Sequence, residues 1–105
     1  MNFYFFLAYN YKVKIIVVEP LKRLSLQKHK LRHEYWYILE GNGLLTLNNK
    51  KTKLNSHAII NIKKGDVHRI ENLNKSKKLV ILEVQKGVCK EEDIVRIEDD
   101  FNRVK

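Results

Sequence analysis

Four residues carry side chains suited to holding a metal ion, and they fall in two clusters: Gln27, His29 and Glu34 in the first, His68 in the second. Imidazole nitrogens and carboxylate or amide oxygens are the usual protein donors to divalent transition-metal ions. Taken singly, each has an ordinary alternative, since a histidine beside a turn is as well explained by a hydrogen bond, and a Gln or Glu on a strand by solvent. Their arrangement gives them weight. In Leu24-Ser25-Leu26-Gln27-Lys28-His29 successive strand residues point to opposite faces, so Ser25, Gln27 and His29 share one face and Leu24 and Leu26 the other. In the next run Glu34, Trp36 and Ile38 share a face, and a turn over Lys30–His33 folds Glu34 back beside His29. His68 opens a later strand just past Gly65-Asp66, and closing a barrel sets that strand opposite the first pair.

The elements that must position these residues read as strands. Runs rich in Val, Ile, Leu, Tyr and Thr occupy Tyr11–Val18, Leu24–His29, Glu34–Glu40, Leu44–Leu47, Ala58–Ile62, Val67–Glu71 and Leu79–Gln85. Gly41-Asn42-Gly43 and Asn48-Asn49-Lys50 read as hairpin turns, because Gly and Asn accept positive φ at little cost. A helical turn is expected only within Glu91–Asp100. The pattern predicts an all-β sandwich or barrel. With 105 residues the chain holds a single domain.

Charge and composition narrow the class. The net charge of +9 divides into +4 over residues 1–40, +7 over 41–80 and −2 over 81–105, so the basic excess is central and the tail is acidic. Lysines in turn-like places supply most of it, which fits a solvated surface or attraction of an anionic ligand such as a sugar phosphate. No helical reading head or spaced stacking aromatics accompany the charge, so nucleic acid is not expected as a partner. No apolar run approaches the roughly 20 residues that cross a bilayer, and no membrane association is expected. Phe3–Ala8 is apolar but follows no Lys or Arg, which favours a first strand over a secretory leader. Cys89 is the single cysteine and forms no intramolecular disulfide, consistent with a cytoplasmic location.

The spacing Gln-x-His-x4-Glu-x6-Gly (Gln27, His29, Glu34, Gly41), followed by Gly-x2-His-x3-Asn (Gly65, His68, Asn72), resembles the two signatures of the cupin superfamily. With Gln27 in place of the usual first histidine, the stretch Leu24-Ser25-Leu26-Gln27-x-His29-x2-Arg32-x-Glu34-x-Trp36 is similar to the type II mannose-6-phosphate isomerase domain. That domain more often forms the C-terminal part of a mannose-1-phosphate guanylyltransferase fusion. Tyr11–Lys14, Val67–Asn72, Glu83-Val84-Gln85-x-Gly87 and Glu92–Asp99 resemble further blocks of the same family. The chain departs from it at Leu21, at Lys63 and through the lack of a Pro-Trp-Gly element near the start, so residues 1–10 read as a divergent segment or a first strand.

The resemblance implies a cupin jelly-roll barrel (a double-stranded β-helix) over residues 11–105, with an acidic C-terminal tail. It implies Gln27, His29, Glu34 and His68 as ligands of one divalent ion, zinc first, with manganese, iron, cobalt or nickel as substitutes. It implies a stand-alone isomerase interconverting mannose 6-phosphate and fructose 6-phosphate. Arg32 is the leading phosphate ligand, with an ion pair to Glu34 or a tail carboxylate as the equal alternative, and Arg96 is second. Glu83, on the face shared by Leu79, Ile81 and Gln85, is either a general base or a group that orients a ligand, and Gln85 is a substrate contact. Trp36 belongs to the core. The rival functions are a non-catalytic or regulatory sugar-binding cupin and another sugar-modifying cupin. A homodimer is expected, with the apolar outer face of Leu24 and Leu26 compatible with pairing.

Overall fold

The computed structural model describes residues 2–8, 11–87 and 93–100, the first stretch by its backbone alone. Ten strands follow in chain order: β1 (Asn2–Ala8), β2 (Tyr11–Val18), β3 (Leu26–His29), β4 (Arg32–Glu40), β5 (Gly43–Leu47), β6 (Lys50–Leu54), β7 (Ile59–Ile62), β8 (His68–Glu71), β9 (Leu79–Gly87) and β10 (Ile94–Glu98). They form two five-stranded sheets, in the orders β1-β2-β9-β4-β7 and β10-β3-β8-β5-β6. We call these sheets A and B. From β2 onward the chain passes from sheet to sheet at every connection except the β5–β6 hairpin, and neighbouring strands run antiparallel. This is the jelly-roll, double-stranded β-helix architecture that the strand pattern and motifs implied.

Alternation along each strand decides what lies between the sheets. In β2, Lys12, Lys14, Ile16 and Val18 are buried while the residues between them are not. Ile38 stands opposite Ile81, and Ile81 opposite Ile16, giving one apolar row across sheet A. With Leu45, Leu54 and Ile70 of sheet B they form the core. At the other end of the same strands the inward positions are polar: Lys12, Lys14, Arg32, Glu34, Glu83 and Gln85 are all buried. The barrel therefore has an apolar half that supports it and a polar half that can bind.

The turns follow from residue chemistry. Asn48 and Asn49 adopt φ of 48° and 69° between β5 and β6, which asparagine tolerates better than most residues. Gly87 has φ +123°, and a Cβ there would stand 2.5 Å from the Leu31 carbonyl oxygen. A side chain at that position would wedge β9 away from the start of β4.

The structure departs from the expected strand pattern at three places. Within Glu91–Asp100, where a helical turn was expected, Asp93 does lie in a 3-10 turn, but Ile94–Glu98 form β10, because Ile94, Val95 and Ile97 are apolar strand formers and the free edge of β3 pairs with Ile94, Val95, Arg96 and Glu98. Strand β6 had no hydrophobic alternation to announce it. Its Lys50, Lys51 and Lys53 are exposed on a sheet edge, where lysine discourages pairing with another chain. Leu24 does not belong to an outer apolar face but packs against the core. Arg23 bridges to Glu71 and the Leu24 N–H donates to the Ile70 carbonyl before β3 begins, so the expected alternation does not extend back to Leu24. Among the described residues no helix is long and apolar enough to cross a membrane.

Candidate metal centre

The polar half of the barrel brings together residues from both sheets. His29 ends β3, Glu34 lies in β4 and His68 opens β8, and each is nearly sealed from solvent. One donor atom from each lies within 4.8 Å of the others. Main-chain contacts fix the approach: the Gly65 N–H donates to the His29 carbonyl at 2.7 Å, tying the turn before His68 to the end of β3. That turn is held by Asp66, which accepts from the Asn48 amide at 2.8 Å and the Lys63 N–H at 2.9 Å. The β3–β4 turn is held by Asp93, whose two carboxylate oxygens accept the N–H groups of Lys30 at 3.0 Å and Leu31 at 2.8 Å.

The donor atoms fit a cation. Nδ1 of His68 faces the Asp66 carbonyl at 3.1 Å, and a carbonyl only accepts, so Nδ1 carries the hydrogen. Burial pushes the His68 pKa down, outweighing the nearby Glu34 charge. The ring is therefore neutral with its lone pair on Nε2, which is buried with no hydrogen-bond partner among the described residues. Nε2 of His29 lies 2.9 Å from Oε2 of Glu34, and Nε2 of His68 lies 3.7 Å from Oε1. Donors about 2.0–2.1 Å from a common ion stand roughly 3 Å apart, so both separations suit shared coordination.

Glu34 is prepared as an anion. Its burial pushes the pKa up, but the close contact with His29 and the positive charge of Arg32 outweigh that and hold the carboxyl well below the usual range. Arg32 donates to Oε2 from Nε at 3.1 Å and stands within 3.0 Å through Nη2, while Nε1 of Trp36 donates to Oε1 at 3.1 Å. Of the two roles open to Arg32, the structure shows the ion pair with Glu34. Its Nη1 remains buried with no acceptor among the described residues.

Gln27 stands in register between His68 of β8 and Arg96 of β10, so all three occupy one row of sheet B. Gln27 and Arg96 are half-buried. Glu83 faces inward beside Trp36 and Lys14 in sheet A, and Gln85 stands beside Glu34. Nε2 of Gln85 donates to Oε1 of Glu83 at 2.6 Å, and Nζ of Lys14 lies 3.5 Å from the same oxygen. Burial, reinforced by the Glu34 charge, pushes the Glu83 pKa up to about 7 against the opposing pull of Lys14.

The sequence reading passed over Lys12, Lys14 and the turn-holding role of Asp93. The lysines share strand parity with Ile16 and Val18, which was a usable signal that they point inward. Asp93 left none, because its partners are main-chain groups about sixty positions away. Asn72 of the second motif sits away from the metal donors, donating to the carbonyls of Val18 at 3.0 Å and Lys77 at 2.8 Å, and so closes a turn.

Comparison with known proteins agrees with this geometry. The chain is 38% identical over 95 residues to the mannose-1-phosphate guanylyltransferase ManC of Salmonella typhimurium, covering 90% of this chain and 20% of that protein. It is 39% identical over 94 residues to the alginate biosynthesis protein AlgA of Pseudomonas aeruginosa, covering 89% of this chain and 19% of that protein. It thus spans about a fifth of the length of these relatives. Among solved structures, the cupin domain of Schizosaccharomyces pombe Cnp3 superposes with a TM-score of 0.77 at 13% identity, over 82% of this chain and 63% of that one. A cupin protein from Bacteroides fragilis gives 0.70 at 20% identity, over 79% and 70%. These likenesses establish the cupin fold. The family described as mannose-6-phosphate isomerase C-terminal matches residues 6–99, and the chain belongs to that family.

Proposed function

We propose that this domain is a metal-dependent isomerase interconverting mannose 6-phosphate and fructose 6-phosphate, with zinc as its ion. The observation that carries the proposal is the placement of an inward carboxylate, Glu83, beside a sealed His29–Glu34–His68 triad that suits a divalent cation. Gln27, in register beside His68, is the fourth ligand in this reading. When bound, the ion supplies Lewis acidity, stabilising negative charge that develops on substrate oxygens.

The remaining work falls to the chain. Aldose–ketose interconversion removes a proton from C2 and delivers one to C1 through an enediolate. A base with a pKa near 7 is matched to that task, and Glu83 meets the requirement. Arg32 holds Glu34 in place, and its unpaired Nη1 is a buried donor available to an anionic ligand. Arg96, half-buried in the same row as Gln27, is a second cation for the phosphate. Among the described buried residues of the inner wall, three cations (Lys12, Lys14 and Arg32) face two carboxylates (Glu34 and Glu83). A divalent ion increases that positive excess, which favours an anionic substrate over a neutral sugar.

The test is a coupled assay for fructose 6-phosphate formed from mannose 6-phosphate by purified protein, with zinc and with chelator. Turnover that chelation abolishes and zinc restores supports the proposal. Zinc-loaded protein that binds mannose 6-phosphate without converting it would instead indicate a sugar-binding cupin.

A further inference from the structure

Two lysines point into the barrel from β2, where the fold otherwise buries apolar side chains. Lys14 is 7% exposed and stands directly across from Glu83, which stands across from Trp36. Burying a lysine beside a carboxylate costs desolvation of both charges, and an apolar pair of similar volume would serve the core as well. The placement therefore calls for a functional explanation.

The contacts at Glu83 supply one. Lys14 Nζ at 3.5 Å and Gln85 Nε2 at 2.6 Å both fall on Oε1, and no hydrogen bond among the described residues falls on Oε2. One oxygen is clamped from two sides and the other is left to react. Glu83 also lies next in register to the Glu34–Gln85 pair, so the free oxygen belongs to the same wall as the triad.

We propose that Lys14 is a positioning residue that, with Gln85, clamps Oε1 of Glu83 so that Oε2 faces the substrate as the proton acceptor. The inference rests on the isomerase reading above. In the step it serves, Oε2 takes the proton from C2 of the aldose. The C2–H electron pair becomes the C1=C2 bond and the carbonyl π pair moves to O1, giving the enediolate. The return step delivers the proton from Oε2 to C1, while the O2 proton passes to O1 and C2=O2 forms, so no oxidant or co-reactant is needed. The charged groups facing Glu83 and Lys14 are Lys12 on β2, with Arg32 and Glu34 on β4. Among the described residues, the imidazoles of His29 on β3 and His68 on β8 are the other titratable groups of this wall.

The experiment compares wild type, Lys14→Met and Lys14→Arg, each loaded with zinc, on mannose 6-phosphate carrying hydrogen or deuterium at C2. Zinc binding by calorimetry is the control that does not depend on turnover. Lys14→Met is expected to lower kcat by about tenfold or more, with KM and zinc affinity nearly unchanged. Its deuterium isotope effect should exceed that of wild type because proton transfer has become slower, and Lys14→Arg should recover much of kcat. Where Lys14→Met does not fold, Lys14→Gln, uncharged but still a hydrogen-bond donor, is held to the same criteria. An active wild type beside a Lys14→Met with normal kcat and isotope effect overturns the inference alone. Parallel losses in kcat, KM and zinc affinity that Lys14→Arg does not repair also overturn it, marking Lys14 as structural. A zinc-loaded wild type without turnover overturns the isomerase reading and this inference with it.

Discussion

His68 gives its Nδ1 hydrogen to the main-chain oxygen of Asp66 across 3.1 Å, and this bond decides which ring nitrogen can meet a metal. The lone pair is left on Nε2, buried and aimed at Glu34. The protein should accordingly bind one zinc ion per chain. Replacing His68 by Ala should weaken binding by more than the roughly 10–100-fold typical of losing a supporting group. Titration calorimetry reads this directly, and unchanged affinity in His68→Ala would show that the triad is not the site.

Metal binding should also appear in stability. The three ligands come from β3, β4 and β8, so an ion joins both sheets of the folded chain. At about a hundredfold excess over Kd, binding to the native state alone adds about 2.7 kcal/mol. For a domain of this size that corresponds to a rise of roughly 10 °C or more in Tm. Scanning calorimetry with zinc and with chelator should show the rise in wild type and not in Glu34→Gln.

Much of this centre was legible in the sequence because its signals are local. Gln27 and His29 share a strand face by parity, Glu34 follows within one turn, and the Gly65–His68 spacing marks a second turn and strand. Strand β6 was missed because Lys50, Lys51 and Lys53 give it no apolar alternation, and its identity comes from pairing with β5. Lys14 was passed over because lysine is ordinarily a surface residue, although its parity placed it with Ile16 and Val18. The helical turn expected within Glu91–Asp100 is present at Asp93, but strand β10 after it was not foreseen, because the free edge of β3 that recruits it is visible only in three dimensions.

The pH dependence follows from Glu83. In the metal-free protein its carboxyl pKa is raised from 4.5 to about 7, and a cation bound at Glu34 pulls it down from there, so the base form grows as pH rises and kcat should climb through an acid limb between those two values. Glu83→Gln should lose roughly 10²–10⁴ in kcat. The stability sign is opposite. Between pH 4.5 and about 7 the unfolded chain releases a proton that folded Glu83 keeps, so this group's contribution is present at low pH and lost as pH rises through about 7. Melting temperatures of the metal-free protein should fall across that window relative to Glu83→Gln. A flat difference would mean that Glu83 is not raised.

Asp93 should matter to the centre without touching it. Its carboxylate accepts the Lys30 and Leu31 N–H groups between His29 and Arg32. Asp93→Ala is expected to cost about 1.5–3 kcal/mol, the range for hydrogen bonds to a charged group, and to weaken zinc binding. Asp93→Asn, which keeps one acceptor, should lie between. Urea unfolding with zinc titration on the same samples checks both effects. Lower stability with intact zinc affinity would separate the turn from the site.

The most direct measurement is the rate of fructose 6-phosphate formation from mannose 6-phosphate by wild type and Glu34→Gln, each stripped of metal and then supplied with zinc. Turnover is expected only in the zinc-supplied wild type, with Glu34→Gln folded and inactive. Equal turnover in stripped wild type, or in folded Glu34→Gln, would contradict it.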